Sequence, residues 1–431
     1  MKRKATEQLK KWYKDEDRRP LILRGARQVG KTWLMMDFAS SLGVPNVYVN
    51  FESDRELQTL FDSDFNIDRI LRHLSLIKGV KIDDNTLLIL DEVQEVKHGI
   101  TSLKYFAEQK PGMPVLVAGS MLGVAMHQGD SFPVGKVRFL DIFPMDFEEF
   151  LWATQNDLLA DALSQKDWDL IADTTSKFED ALKEYYYVGG MPKVVKQFLN
   201  GREYDKAREE QLSLIASYDN DFSKHAPAQL VPRIRQVWNS IVSQLSKENK
   251  KFLYGVIKEG ARAREFEMAL EWLYDAGLFY KVSRVKAGEL PLNAWVDPGA
   301  FKVFMLDVGL LGAMCDLEAK TLIKGNHLFA TFKGALTEQY VMQQIRALHG
   351  PNIFYWSAEN SSGEIDFLIQ KDGEVVPIEA KAEENLQSKS LRIFSDKYKL
   401  PKAWRFSMAN YREQDWLTNF PLYALHQALK D

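Results

Sequence analysis

The segment Gly25-Ala26-Arg27-Gln28-Val29-Gly30-Lys31-Thr32 constrains this chain more than any other. It is preceded by the apolar run Leu21-Ile22-Leu23 and followed by Trp33-Leu34-Met35-Met36-Asp37-Phe38-Ala39, which has helical spacing. Strand, glycine loop and helix in that order form the setting of a phosphate-binding loop. The glycines let backbone N–H groups of residues 25–32 wrap phosphate oxygens, and the helix N-terminus adds partial positive charge. Lys31 supplies a cation to the outer phosphates, and the Thr32 hydroxyl is placed to ligate Mg²⁺.

Further apolar runs, Val47–Phe51, Leu87–Leu90, Val115–Ala118 and Val137–Leu140, alternate with helical stretches. This pattern predicts a parallel sheet covered on both faces, with ligands at the carboxyl ends of its strands. Leu87–Leu90 runs into Asp91-Glu92. Asp91 would hold Mg²⁺ through water, and Glu92 would polarise the water that attacks the γ-phosphate; the plainer alternative is that both acids cap the next helix. Ser120, after Val115–Ala118, is either a sensor residue between base and γ-phosphate or a simple turn serine. Arg138, or Lys136 beside it, is either a finger that neutralises charge on the transferred phosphoryl group, in its own site or a neighbour's, or a surface cation. The absence of an Asn-Lys-x-Asp guanine signature favours ATP.

These residues resemble the AAA-type ATPase domain of a widespread bacterial and archaeal family that joins this domain to a C-terminal region of unassigned function. The resemblance rests on Leu21–Thr32, Leu90-Asp91-Glu92-Val93-Gln94, Ala118-Gly119-Ser120 and Phe143-Pro144-Met145-Asp146-Phe147-Glu148-Glu149-Phe150. Family members often carry Gly-Arg before the fifth strand, where this chain has Gly135-Lys136.

The 431 residues allow two or three domains, and the formal net charge of −4 means that nucleic-acid binding would have to come from a local patch. The single cysteine, Cys315, rules out a disulfide framework and fits a reducing compartment. No stretch approaches the roughly 18 apolar residues of a membrane span, and Met1-Lys2-Arg3-Lys4 leads into a polar amphipathic helix rather than a signal-peptide core. A cytoplasmic protein without a membrane partner is expected, with an oligomer open. Neither His73 nor His225 has metal-ligand spacing.

After the ATPase domain, expected over residues 1–150, a helical extension covers 151–230. Tyr187-Val188-Gly189-Gly190-Met191-Pro192 reads as a tight turn there, and Phe301–Leu310 as an apolar strand ending in a turn. Residues 231–325 suggest a winged helix, with helices at Val231–Leu245, Phe252–Glu259 and Arg264–Ala276, a stop at Gly277, and a first wing strand at Leu278–Val282. Arg262, Arg264, Lys281, Arg284 and Lys286 make either a phosphate-contact patch for DNA or RNA or an ordinary solvated face.

In residues 326–431, Glu364–Ile369 and Val375–Lys381 read as strands joined by the hairpin turn Asp372-Gly373. A tight turn sets Lys371 against Glu374, Asp366 against Glu379 and Glu364 against Lys381, with Ile365, Phe367, Ile369, Val376 and Ile378 on the opposite, apolar face. Opposed carboxylates repel, so Asp366 and Glu379 call for a bridging cation, for which Mg²⁺ or Mn²⁺ is suited. Lys381 would orient the attacking water, and Glu338, on a helix over Gly334–Val341, would reach the same metal. This set is similar to the PD-(D/E)xK nuclease fold, with Ile365 where proline is common. The resemblance implies a restriction-endonuclease-like domain that cuts phosphodiesters through Glu338, Asp366, Glu379 and Lys381, with Gln387 or Ser388 and a helix Leu391–Tyr398 following. A catalytically inactive scaffold that binds protein or nucleic acid stands beside it, because a fold alone does not imply activity. The expected whole is α/β: a P-loop NTPase sheet, a helical and winged-helix region, and a restriction-endonuclease-like module.

Overall fold

The computed structural model describes the chain apart from residues 120–121, 126–132, 248–249, 324–329, 360–362, 383–387 and 431. It divides into two compact units, Met1–Phe143 with Asp275–Gly277, and Pro144–Tyr274 with Leu278–Asp431.

In the first unit, β1 (Leu21–Arg24), β2 (Asn46–Asn50), β3 (Leu87–Asp91), β4 (Val115–Ala118) and β5 (Arg138–Asp141) form a parallel sheet in the order β2-β3-β4-β1-β5. The central strands are continuous apolar runs because both faces are covered. On one side Leu88, Leu90, Val115 and Val117 pack with Ile70 and Leu74 of helix Ile67–Lys78 and with Leu103 and Phe106 of helix Gly99–Gln109. The alternate residues Leu87, Ile89 and Leu116 are equally buried on the other. Truncating Leu90 to alanine would cost about 2–5 kcal/mol, the usual range for a core leucine. The N-terminal segment is fastened here as well: Arg3 donates to the carbonyls of Val29 (3.0 Å) and Phe143 (2.7 Å).

The second unit builds one mixed sheet from β6 (Phe279–Val285), β7 (Val296–Met305), β8 (Ile353–Ser357), β9 (Glu364–Lys371), β10 (Glu374–Ala380), β11 (Ala403–Ser407), β12 (Arg412–Glu413) and β13 (Leu417–Pro421). Their order is β12-β13-β11-β10-β9-β8-β6-β7. Helix Ala330–His349 is longer than the expected Gly334–Val341, and helix Lys389–Tyr398 makes the crossover from β10 to its parallel neighbour β11. Helices Val231–Leu245 and Ala263–Asp275 lie where the winged-helix pattern put them, but the middle helix shrinks to Tyr254–Ile257. The β6–β7 hairpin is no free wing. Ser283, Arg284 and Val285 pair with Phe354, Tyr355 and Trp356 of β8, so the hairpin is the edge of the eight-stranded sheet.

The two unexplained sequence elements, Tyr187–Pro192 and Phe301–Leu310, meet. Asp307 caps helix Val308–Met314 by accepting from Leu310 N (3.0 Å), and its second oxygen accepts from Gly190 N (2.6 Å) and Gln343 Nε2 (3.2 Å). A Cβ on Gly189 would stand 2.1 Å from Asp307 Oδ1, which is why that turn is glycine. Gln339 and Gln343 of helix Ala330–His349 bond the backbone at Met305 and Val308. The helix that carries Glu338 is thereby pinned beside β7.

Candidate nucleotide site and C-terminal acid cluster

The loop after β1 has the backbone of a phosphate cradle. Gly25 sits at φ +148°, where a Cβ would stand 2.1 Å from Ile142 O, and Gly30 (φ +92°) precedes helix Lys31–Leu42. Gln28 holds φ +68°, a left-handed conformation that costs a non-glycine residue energy and is found most often at functional sites. Lys31 is buried, and its Nζ donates to Gly25 O and Ala26 O, both at 2.8 Å. Burial pushes its pKa down to about 8, against the pull of Glu92 and Asp91. Its hydrogen bonds are to neutral carbonyls, so an incoming anion finds a cation with no bound counter-charge.

Asp91 ends β3 and accepts two bonds on Oδ2, from Thr32 Oγ1 (2.7 Å) and from Tyr48 OH (2.9 Å). Asn50 donates to the Tyr48 hydroxyl at 3.1 Å. Burial raises the Asp91 pKa, and the two hydroxyls oppose the rise. A hydroxyl and a carboxylate oxygen this close, beside a phosphate loop, make a hard-oxygen donor set of the kind Mg²⁺ takes. Glu92 follows in the left-handed region (φ +50°) and accepts from Gln94 Nε2 at 2.6 Å. The sequence assigns no role to Tyr48, Asn50 or Arg3, and Gln94 enters it only through the family resemblance. The rule that ligands lie at the carboxyl ends of strands pointed to Asn50, the last residue of β2.

Arg138 requires a correction as a finger for its own site. In the parallel β1–β5 ladder it lies opposite Leu21, while Arg24, next to the loop, lies opposite Asp141. Arg138 is therefore at the end of the sheet away from its own phosphate loop, in an ion pair with Asp15 and donating to Asp17 O at 3.2 Å. Lys136 pairs with Glu108 at 3.1 Å. Ser120 lies outside the described residues.

In the second unit the hairpin takes the expected register: Lys371 faces Glu374, and the ladder runs to Phe367 opposite Ile378. It ends there, and β10 continues along β11, with Glu379 beside Arg405. The β8–β9 ladder also shifts between Phe354 and Trp356, so β9 advances three residues (Ile365 to Leu368) where β8 advances two. Ile365 and Leu368 consequently share one hydrophobic cluster with Leu391 and Phe394. Strict alternation assigned them to opposite faces; a bulge of this kind re-aims side chains.

The expected quartet is split. Glu379 bonds Ser388 Oγ and pairs with Lys381 at 3.1 Å. Asp366 accepts from Ala380 N at 2.8 Å and shares its surroundings with Glu338, Lys250 and Lys302. Lys302, wholly buried on β7, pairs with Glu364, lies 3.8 Å from Glu338 Oε2 and has the Tyr355 ring 4.9 Å from its Nζ. Lys250 pairs with the other Glu338 oxygen. Glu338 and Glu364 are thus bridged by a cation, and it is an ammonium group. Burial opposes the charges of Lys302 and Glu338, but their mutual attraction outweighs it, raising the Lys302 pKa and lowering that of Glu338. Burial and the Glu338 charge push Asp366 up to about 7. Among the described residues no group of three or more His, Cys, Asp or Glu is arranged to hold a metal ion. The expected Mg²⁺ or Mn²⁺ site at Asp366 and Glu379 finds no support in this arrangement: Lys250 and Lys302, from outside residues 326–431, pair with Glu338 and Glu364, and Lys381 pairs with Glu379. Gln387 lies outside the described residues.

The basic patch is partly spent as well. Arg284 lies 3.6 Å from Asp297 and 3.4 Å from Glu359, and Lys281 lies 3.9 Å from Glu271. Helix Ala263–Asp275 exposes Arg264 among Glu265, Glu267 and Glu271. No described helix is long and apolar enough to cross a membrane.

Residues 17–151 match the family model described as AAA domain, and residues 179–321 and 333–425 match two models described as domains of unknown function. The N-terminal region is thus similar to AAA domains, which supports an AAA-type ATPase fold there. Among solved structures, the chain is similar to a Walker-type ATPase of Pyrococcus abyssi (13% identity, TM-score 0.44, covering 72% of this chain and 94% of that one). It is also similar to the Aeropyrum pernix ORC1 protein in complex with DNA (13%, TM-score 0.28, 72% and 90%) and to Drosophila ORC bound to DNA (12%, TM-score 0.26, 72% and 94%). No curated protein matches the chain.

Proposed function

We propose that this chain is an ATP-driven switch: the first unit binds and hydrolyses ATP, and the second is a nuclease-like sheet that binds a partner rather than cutting a phosphodiester. The observation that carries the first half is Lys31, a buried cation resting on two carbonyls beside the Thr32–Asp91 pair. When triphosphate enters, Lys31 exchanges those carbonyls for phosphate oxygens, while loop N–H groups from Gly25 to Thr32 take the rest. Thr32 and Asp91 would hold Mg²⁺, which neutralises charge on the phosphates. Tyr48 keeps Asp91 oriented once the Thr32 hydroxyl has turned away. Glu92 polarises the attacking water. Lys31→Ala should abolish ATP turnover, measured as phosphate release; hydrolysis retained in that variant would refute the assignment.

The second half is supported by Lys250 and Lys302, which neutralise Glu338 and Glu364 from within. Removing a cation from such a site to admit a metal would leave buried charge to be desolvated again. A cleavage assay on single- and double-stranded DNA and RNA, with Mg²⁺ or Mn²⁺ and with or without ATP, should show no product. Cleavage by the wild type that disappears in Asp366→Ala would restore the nuclease reading.

A further inference from the structure

Gln94 stands two residues beyond Glu92 and contacts two parts of the nucleotide site. Its Nε2 donates to Glu92 Oε2 at 2.6 Å and lies 3.4 Å from Glu95 Oε1. Its Oε1 is buried and has no hydrogen-bond partner among the described residues. That same oxygen lies over Gly119, at the carboxyl end of β4, where an added Cβ would stand only 2.0 Å away. The amide is thus wedged between the end of β4 and the carboxylate that follows β3. Glu92 itself is held at φ +50°, so its backbone is turned out of the strand and its carboxylate direction depends on what grips it. A buried amide oxygen without a partner is costly, and such a group persists where the rest of the side chain does something specific.

We propose that Gln94 is the positioning residue for Glu92, fixing the carboxylate toward the attacking water and tying it to the end of β4. The inference rests on the ATPase reading above. The donated N–H fixes the direction of the Glu92 carboxylate, the group that would accept a proton from water. Because Gln94 also fills the space above Gly119, any shift of the β4 end on nucleotide binding is transmitted to Glu92 through this one side chain.

The test is steady-state ATP hydrolysis and thermal unfolding of the full chain, with Glu92→Gln and Lys31→Ala as controls. Gln94→Met keeps the length of the side chain and removes the donor. It should lower kcat about tenfold or more, the scale of one hydrogen bond to a charged group. KM for ATP should stay within about twofold, as expected when a group acts only on the chemical step. Gly119→Ala should lower kcat in the same way by displacing the amide, and should cost less on a Gln94→Ala background, where only the 2.8 Å approach to the Leu122 side chain remains. A Gln94→Met enzyme with wild-type kcat would overturn the inference while leaving the ATPase reading intact, provided Lys31→Ala is inactive. A lowered kcat accompanied by a KM raised more than about twofold, or by a lowered melting temperature, means a merely structural role and also overturns it. A wild-type chain that never turns over ATP overturns both.

Discussion

Two buried lysines, Lys31 and Lys302, define the difference between the two units. Lys31 rests on neutral carbonyls, and burial pulls its pKa down to about 8. Lys302 rests on Glu364 and Glu338, whose charges carry its pKa upward. A cation that only carbonyls satisfy is held ready for an anion from solution. A cation already faced by carboxylates is part of the fold. Both regions have acids at strand ends next to lysine, and both read from sequence as metal-dependent phosphoryl chemistry. Counter-charge, rather than residue type, separates the receptive site from the self-neutralised one.

The largest expected effect lies at the receptive end. Lys31→Ala should lower kcat about 100-fold or more, as removal of a preorganised donor to developing charge does, while thermal unfolding of the second unit stays in place. At the self-neutralised end the expectation reverses. Lys302→Met should leave ATP turnover near wild type but destabilise the second unit by about 3–5 kcal/mol, because Glu364 and Glu338 lose a buried partner. Adding Glu364→Leu to that variant should recover much of the loss in urea unfolding, and failure to recover would show that Lys302 matters through packing alone.

A smaller effect concerns pH. The Asp366 pKa is about 7 in the fold against an ordinary 3.8, so between those values the native state binds more protons than the unfolded chain. Stability of the second unit should therefore fall as pH rises from about 4 to about 7 and level off above. Asp366→Asn should flatten that slope; an unchanged slope would place the titration elsewhere. The smallest effect belongs to Arg138, at the far end of β1 from the loop. Arg138→Ala should change ATP turnover by less than about twofold, since its partners are exposed ion pairs. A loss comparable to that in Lys31→Ala would return it to the catalytic machinery through a neighbouring subunit.

The first sheet was legible because its determinants are local. Each strand is an unbroken apolar run, and Gly25, Gly30, Lys31, Thr32, Asp91 and Glu92 lie on the two turns where a parallel sheet places ligands. Tyr48 and Asn50 were not legible, because what they touch depends on β2 lying beside β3. The C-terminal hairpin register followed from Asp372-Gly373 as far as Ile378. What failed beyond it was non-local: a bulge opposite β8, and cations arriving from Lys250 and from Lys302 on β7. Nothing in the spacing of residues 326–431 announces a lysine that sits on the far edge of the same sheet. The wing strand of the winged-helix reading is not free for a like reason, since the pairing of β6 with β8 joins segments separated by a long helix.

Mn²⁺ binding, followed by electron paramagnetic resonance on the full chain with and without a non-hydrolysable ATP analogue, tests the contrast most directly. Bound Mn²⁺ should require the nucleotide and should vanish in Lys31→Ala. Mn²⁺ held tightly by the wild type without nucleotide, and released in Asp366→Asn, would contradict the self-neutralised cluster.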